Sequence, residues 1–161
     1  EKDFVEQIEA IVLADEMVCG IHDLVVHDYG PGRTMISLHA EVPGNMDIFI
    51  LHEAIDDTEV ALANKFNCEA IIHLDPIDTE NERLVILKQT AITAATQIDA
   101  NISIHDVRMV PGIAHTNLIF DIVRPHDCKL SPEELKKQIG EKVHEEYEDV
   151  FCVITVDSPY I

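Results

Sequence analysis

Apolar residues recur along this chain with two periods, and the two periods alternate in blocks. From Asp3 to Asp15 they fall at Phe4, Val5, Ile8, Ile11 and Val12, the stripe of a helix lying on a core. Val18 to Tyr29 reads as a strand around Val25 and Val26, and Gly30-Pro31-Gly32 is a turn. Thr34 to Val42 alternates: Ile36, Leu38, Ala40 and Val42 face one way, and Met35, Ser37, His39 and Glu41 the other. Asp47 is an expected N-cap for a helix to about Lys65, with Leu51, Ile55, Thr58, Leu62 and Phe66 as its core stripe. Glu69 to Asp75 is a strand that Pro76 should end, because proline has no N–H to give to a ladder.

The pattern then starts again. Glu80 to Asp99 is expected as a helix with Leu84, Leu87, Ala91, Ala94 and Ile98 on one face. Strands follow at Ile102 to Val110 and His115 to Val123, around Pro111-Gly112. Ser131-Pro132-Glu133-Glu134 is a capping box that opens a helix with Leu135, Ile139, Val143 and Tyr147 at spacings of four. Phe151 to Val156 is the last strand. Ile21-His22-Asp23 matches Ile104-His105-Asp106, Pro43 matches Pro125, and Ile72-His73-Leu74-Asp75 matches Ile154-Thr155-Val156-Asp157, at offsets of 82 or 83 residues. This is an internal repeat of helix, strand, strand, helix, strand, with domains expected at 1–78 and 79–161. Each copy should be α+β, with helices on one face of a three-stranded sheet and the other face open.

Composition narrows the partners. A formal net charge of −20 over 161 residues argues against nucleic acid and against direct binding to anionic lipid, and favours cations diffusely. No stretch approaches the roughly 20 apolar residues of a membrane helix. The charged opening, Glu1-Lys2-Asp3, does not read as a signal peptide, and a chain without an initiator Met is expected to be part of something longer. Cys19, Cys68, Cys128 and Cys152 show no CxxC spacing and are expected to be reduced and mostly buried.

The chemistry concentrates in the first copy. His39 points off the core face of the second strand, and His73 and Asp75 off the core face of the third. His22 begins the first strand on a side that alternation does not fix, and His52 lies at the edge of the helical stripe. Neutral imidazoles and a carboxylate suit zinc and its neighbours in the first transition row. Five such groups would serve one open site, or two ions sharing Asp75. One histidine on an open sheet face is usually only solvated; recurrence on neighbouring strands makes these a candidate site.

Gly20-Ile21-His22-Asp23-Leu24, Gly30-Pro31, Ser37-Leu38-His39-Ala40-Glu41, Leu51-His52-Glu53-Ala54 and Ile71-Ile72-His73-Leu74-Asp75-Pro76 together resemble the cytosolic C-terminal domain of cation diffusion facilitator (cation efflux) transporters, over about Asp3 to Pro76. The resemblance implies a ferredoxin-like or metallochaperone-like fold, present here in tandem. It implies a homodimer on the cytoplasmic face of a membrane transporter of divalent cations, commonly zinc, whose membrane domain carries the transport residues. It also implies metal ligands at His22, His39, His52, His73 and Asp75.

The second copy departs from the pattern. His105 matches His22, Asp121 stands for His39, Thr155 for His73, and Asp157 for Asp75. Lys136 falls where the first copy has His52 and is expected to bring a positive charge to the site. His105, Asp121 and Asp157 would then form a weak site at best. His27, His115, His126 and His144 are expected at the surface. A metal-sensing, dimerising, non-enzymatic module is the leading expectation. The alternatives are a two-metal hydrolase, for which no separate general base is found, and a tandem small-molecule-binding regulatory domain.

Overall fold

The computed structural model describes residues 2–159. The described residues are α+β, with four helices and two three-stranded sheets. It divides into two compact units, Glu1–Ile77 and Asp78–Ile161.

In the first unit α1 (Lys2–Val12) precedes β1 (Gly20–Asp28), β2 (Thr34–Pro43), α2 (Ile48–Phe66) and β3 (Glu69–Ile77). β1 pairs antiparallel with β2, and β2 parallel with β3. A parallel neighbour needs a crossover, and α2 supplies it. Asp47 caps α2, accepting from the backbone N–H of Phe49 at 2.9 Å. Asn67, at φ 49°, ends the helix in the left-handed region that asparagine tolerates. Ile36, Leu38 and Ala40 of β2 pack with Ile8 and Val12 of α1, Ile55 and Leu62 of α2, and Ile72. Both helices therefore cover one face of the sheet, and Ser37, His39, Glu41, His73 and Asp75 lie on the other.

Pairing does not stop at Pro76. It continues through Pro76↔Val42 and Ile77↔Pro43. β3 is an edge strand, and Ile72, of the same parity as Pro76, turns its N–H outward to Glu59 Oε1 of α2 at 2.6 Å. The N–H that proline lacks would face the open edge, so the ladder loses nothing.

The second unit repeats the order with α3 (Arg83–Ile98), β4 (Ser103–Val110), β5 (Thr116–Val123), α4 (Pro132–Glu146) and β6 (Val150–Asp157). β4 is antiparallel to β5, and β5 parallel to β6. Phe120, Leu118 and Ile122 of β5 form the floor under Leu87, Ala91, Leu135, Ile139 and Val143 of the two helices. The capping box is complete: Glu134 N–H donates to Ser131 Oγ at 3.2 Å, and Ser131 N–H to Glu134 Oε2 at 2.8 Å. α3 starts three residues later than the apolar stripe suggests. Asp78 and Asn81 take the backbone N–H groups of Glu80 and Arg83, at 3.1 and 3.0 Å, and these local turns compete with the helix. Arg83 then forks onto Asp149 at 2.7 and 2.8 Å, tying the start of α3 to the turn before β6.

The cysteines depart from expectation in burial. All four are free thiols, but only Cys128 is buried, and Cys19 is exposed. Cys19 lies just before β1, and its backbone N–H donates to the Glu41 carbonyl at 2.7 Å while the residue stays exposed.

Candidate metal centre

Register brings the first-unit histidines into one row. His22 of β1 pairs with His39 of β2, and His39 pairs with His73 of β3. Paired residues point to the same face, so three imidazoles cross the sheet side by side. Ring centroids are 4.9 Å apart for His22–His39 and 4.7 Å for His39–His73. Asp75, two residues beyond His73 on the same face, is their hub. Its Oδ2 lies 3.0 Å from His22 Nε2 and 2.9 Å from His39 Nδ1, and its Oδ1 lies 3.4 Å from His73 Nε2. A bulge between His22 and Val25, with Asp23 at φ 51°, fixes the side of β1 that alternation left open. It places His22 on the cluster face, nearly fully buried at 7% exposure.

Glu41 belongs to this centre and the sequence reading did not include it. It points away from the core, as the alternation of β2 requires, yet it is 1% exposed. His22 Nδ1 donates to its Oε1 at 2.9 Å. Gly20 makes room: a Cβ there would stand 2.8 Å from Glu41 Oε2. The sequence did carry the parity that Glu41 shares with His39, but the pairing of Glu41 with Gly20 across β1 and β2 is seen only in the structure. Alternation reports facing, however, and not burial.

His22 thus sits between two carboxylates. Burial disfavours its charge, but hydrogen bonds to Asp75 and Glu41, and the charges of both, outweigh that and push its pKa up to about 9. For Asp75, burial alone would raise the pKa; hydrogen bonds from His22 and His39 and their charge win and hold it below the ordinary carboxylate value. With both acids ionised, His22 donates from both ring nitrogens.

The donor set fits a divalent transition ion. One donor atom from each of His39, His73 and Asp75 falls within 4.8 Å of the others, and the same holds for His22, Asp23 and His39. Tetrahedral zinc with bonds near 2.1 Å separates its ligands by about 3.4 Å, so small side-chain adjustments would suffice. Glu41, holding the far nitrogen of His22, is the outer carboxylate that metal-binding histidines commonly have. His52 stands apart. It is exposed on α2 and shares a shallow cleft with Asp56, Glu59 and His73 at the β3 edge. The reason is the layering: α2 covers the sheet face opposite the row of imidazoles.

In the second unit the described residues contain no such group of three. His105 pairs with Asp121 in register, but its ring is exposed and bonds Ser103 Oγ at 3.0 Å. Asp157 is exposed. Lys136 does not bring its charge to these residues. It lies against Glu133 at 3.8 Å on α4, which covers the other face of its sheet. The cation beside Asp121 is Arg108, at 3.6 Å. His144 is not a free surface group either: its Nδ1 donates to the Val150 carbonyl at 3.1 Å and its ring packs on Phe151.

Comparison with known proteins now adds what geometry cannot. A model of the cation efflux protein cytoplasmic domain matches residues 1–77, the whole first unit. The first unit belongs to the cytoplasmic-domain family of cation efflux proteins. An uncharacterized transporter of Methanocaldococcus jannaschii, MJ0449, is 39% identical over 82 residues, which make up 48% of this chain and 27% of that protein. The chain therefore spans about a quarter of that relative's length. A solved structure of the candidate zinc transporter CzrB, in a zinc form, is 30% identical, covering 50% of this chain and 92% of that one, with a TM-score of 0.43. The metal-bound C-terminal domain of the CzcD transporter from Thermotoga maritima is 21% identical over 50% of this chain and 92% of its own, with a TM-score of 0.44. No helix among the described residues is long and apolar enough to cross a membrane.

Proposed function

We propose that this chain is the cytoplasmic regulatory portion of a divalent-cation efflux transporter, that its first unit binds zinc or a similar ion through His22, His39, His73 and Asp75, and that binding favours a closed homodimer. The observation that carries the reading is the hub at Asp75, where three imidazoles from three strands meet one buried carboxylate. Bound metal would supply positive charge and directional bonds there. The chain's own residues do the rest. Glu41 orients His22, the bulge sets the side of β1, and the helices behind the sheet hold the strands in register. His52, exposed on α2, suits ligation from a facing copy. The second unit is a diverged copy of the same domain and acts as a scaffold.

Charge gives the switch its direction. Two chains of −20 repel. Divalent ions taken up where the copies meet cancel part of that repulsion, and they shift the population by their differential affinity for the closed form. Uptake must displace the proton on His22 Nε2, so affinity rises with pH. The reading involves no catalysis: the residues fill coordination and hydrogen-bonding roles, and none is left as a separate general base.

Cobalt(II) tests it. The metal-free chain should develop the strong visible absorption of a four-coordinate nitrogen and oxygen site, zinc should displace it, and the His39→Ala variant should lack it. Sedimentation run alongside should show zinc raising the dimer fraction. Weak octahedral spectra in both proteins would sink the proposal.

A further inference from the structure

The two units share a backbone frame, and this makes their cluster faces comparable position by position. Each first strand carries a bulge at the same place, between His22 and Val25 and between His105 and Arg108. Each bulge holds an aspartate in the left-handed region, Asp23 at φ 51° and Asp106 at φ 52°. His22 pairs with His39 as His105 pairs with Asp121, and His39 with His73 as Asp121 with Thr155. Within that frame two exchanges stand together. The imidazole of His39 is replaced by the carboxylate of Asp121, and the apolar Val25 by Arg108. The first exchange adds a negative charge to the face, and the second adds a positive one.

The structure joins them. Arg108 Nη1 lies 3.6 Å from Asp121 Oδ1, with the two side chains 15% and 25% exposed. The same nitrogen donates to the Asp106 carbonyl, within the bulge, at 2.6 Å. Burial, with the charges of Asp157 and Asp106, holds the Asp121 carboxyl above its ordinary value, and Arg108 is the group that opposes them. Glu41, which holds His22 in the first unit, becomes Val123 in the second, and His105 turns outward to Ser103. Each change removes a feature that metal uptake would use, and Arg108 supplies a cation that neither pH nor metal supply can remove.

We propose that Arg108 is a tethered cation which does in the second unit what a divalent ion does in the first: it neutralises the carboxylates between the bulge and Asp121. Metal response is then confined to the first unit, and the second keeps its strand arrangement at every metal concentration. The comparison rests on the metal reading of the first unit; the ion pair itself does not.

The test uses the full chain and follows the units separately by methyl resonances, Leu118 and Ile139 for the second and Ile36 and Leu38 for the first. In the wild type, zinc or a chelator should leave the melting of the second unit unchanged. Arg108→Ala should lower it by about 5 °C, and zinc or calcium chloride should restore most of that loss. Arg108→Lys should keep most of the stability. Arg108→Met combined with Asp121→Asn, which removes both charges, should melt closer to wild type than Arg108→Met alone. Wild-type melting of Arg108→Ala would overturn the proposal. So would a loss that no divalent ion restores, or a double variant no better than the single one. A first unit indifferent to zinc in the wild type would instead defeat the metal reading, and the second-unit signals would still decide the role of Arg108.

Discussion

Raising the pH of the metal-free protein from roughly 6 to 9.5 should strip the second proton from His22 and weaken the first unit. His22 is held between Glu41 at 2.9 Å and Asp75 at 3.0 Å, and its pKa rises from 6.5 to about 9. The sign follows from the charged ring being favoured in the folded state. The stabilisation is fully present below the unfolded value near 6.5 and is lost as pH climbs through about 9. Its size is roughly 3 kcal/mol, at about 1.4 kcal/mol for each tenfold change in proton affinity. His22 is buried, so solvent screening removes little of this. Urea unfolding across that range, read on the Ile36 and Leu38 methyls, would measure it. The control is His22→Gln, whose first unit should show no uptake of a proton between about pH 6.5 and 9. Equal pH slopes in wild type and variant would refute the assignment of His22 as a doubly donating, charged ring.

Other perturbations have expected outcomes. Gly20→Ala should push Glu41 off His22, because the new Cβ meets Oε2 at 2.8 Å; calorimetry should show about 1–3 kcal/mol of lost stability together with weaker zinc binding. Leu38→Ala, at 1% exposure in the β2 floor, should cost about 2–5 kcal/mol in the first unit and leave the Leu118 methyl transition in place. Ser131→Ala breaks the capping box of α4 and should cost about 1 kcal/mol, read as a lower melting temperature of the second unit. Acidification should destabilise the first unit as Asp75 protonates below the ordinary carboxylate range, and Asp75→Asn should abolish that contribution to acid unfolding.

Most of the fold was legible because β2 alternates cleanly, because the second copy repeats the order of the first, and because Asp47 and Ser131 mark helix starts with side chains that do cap. Pro76 misled because a sequence does not say which strand is an edge. The late start of α3 escaped because Asp78 and Asn81 make turns that an apolar stripe ignores. At the site, His39, His73 and Asp75 were legible from period-two alternation alone. His22 was not placed, since the bulge after it breaks the alternation. Glu41 was seen to face away from the core, but its burial depends on His22 and Gly20 from another strand. Arg108 was invisible for a related reason: it matches Val25, not a histidine, and only the bulge and register set it beside Asp121.

The most direct measurement is a calorimetric titration of the metal-free full chain with zinc, beside a His73→Ala, Asp75→Ala double variant. Saturable binding, on the order of micromolar or tighter and lost in the variant, is the expected result, and its stoichiometry separates one ion from two. Equal, weak and unsaturated binding by both proteins would mean that the acidic surface merely collects cations, and the row of imidazoles around Asp75 would not be a metal centre.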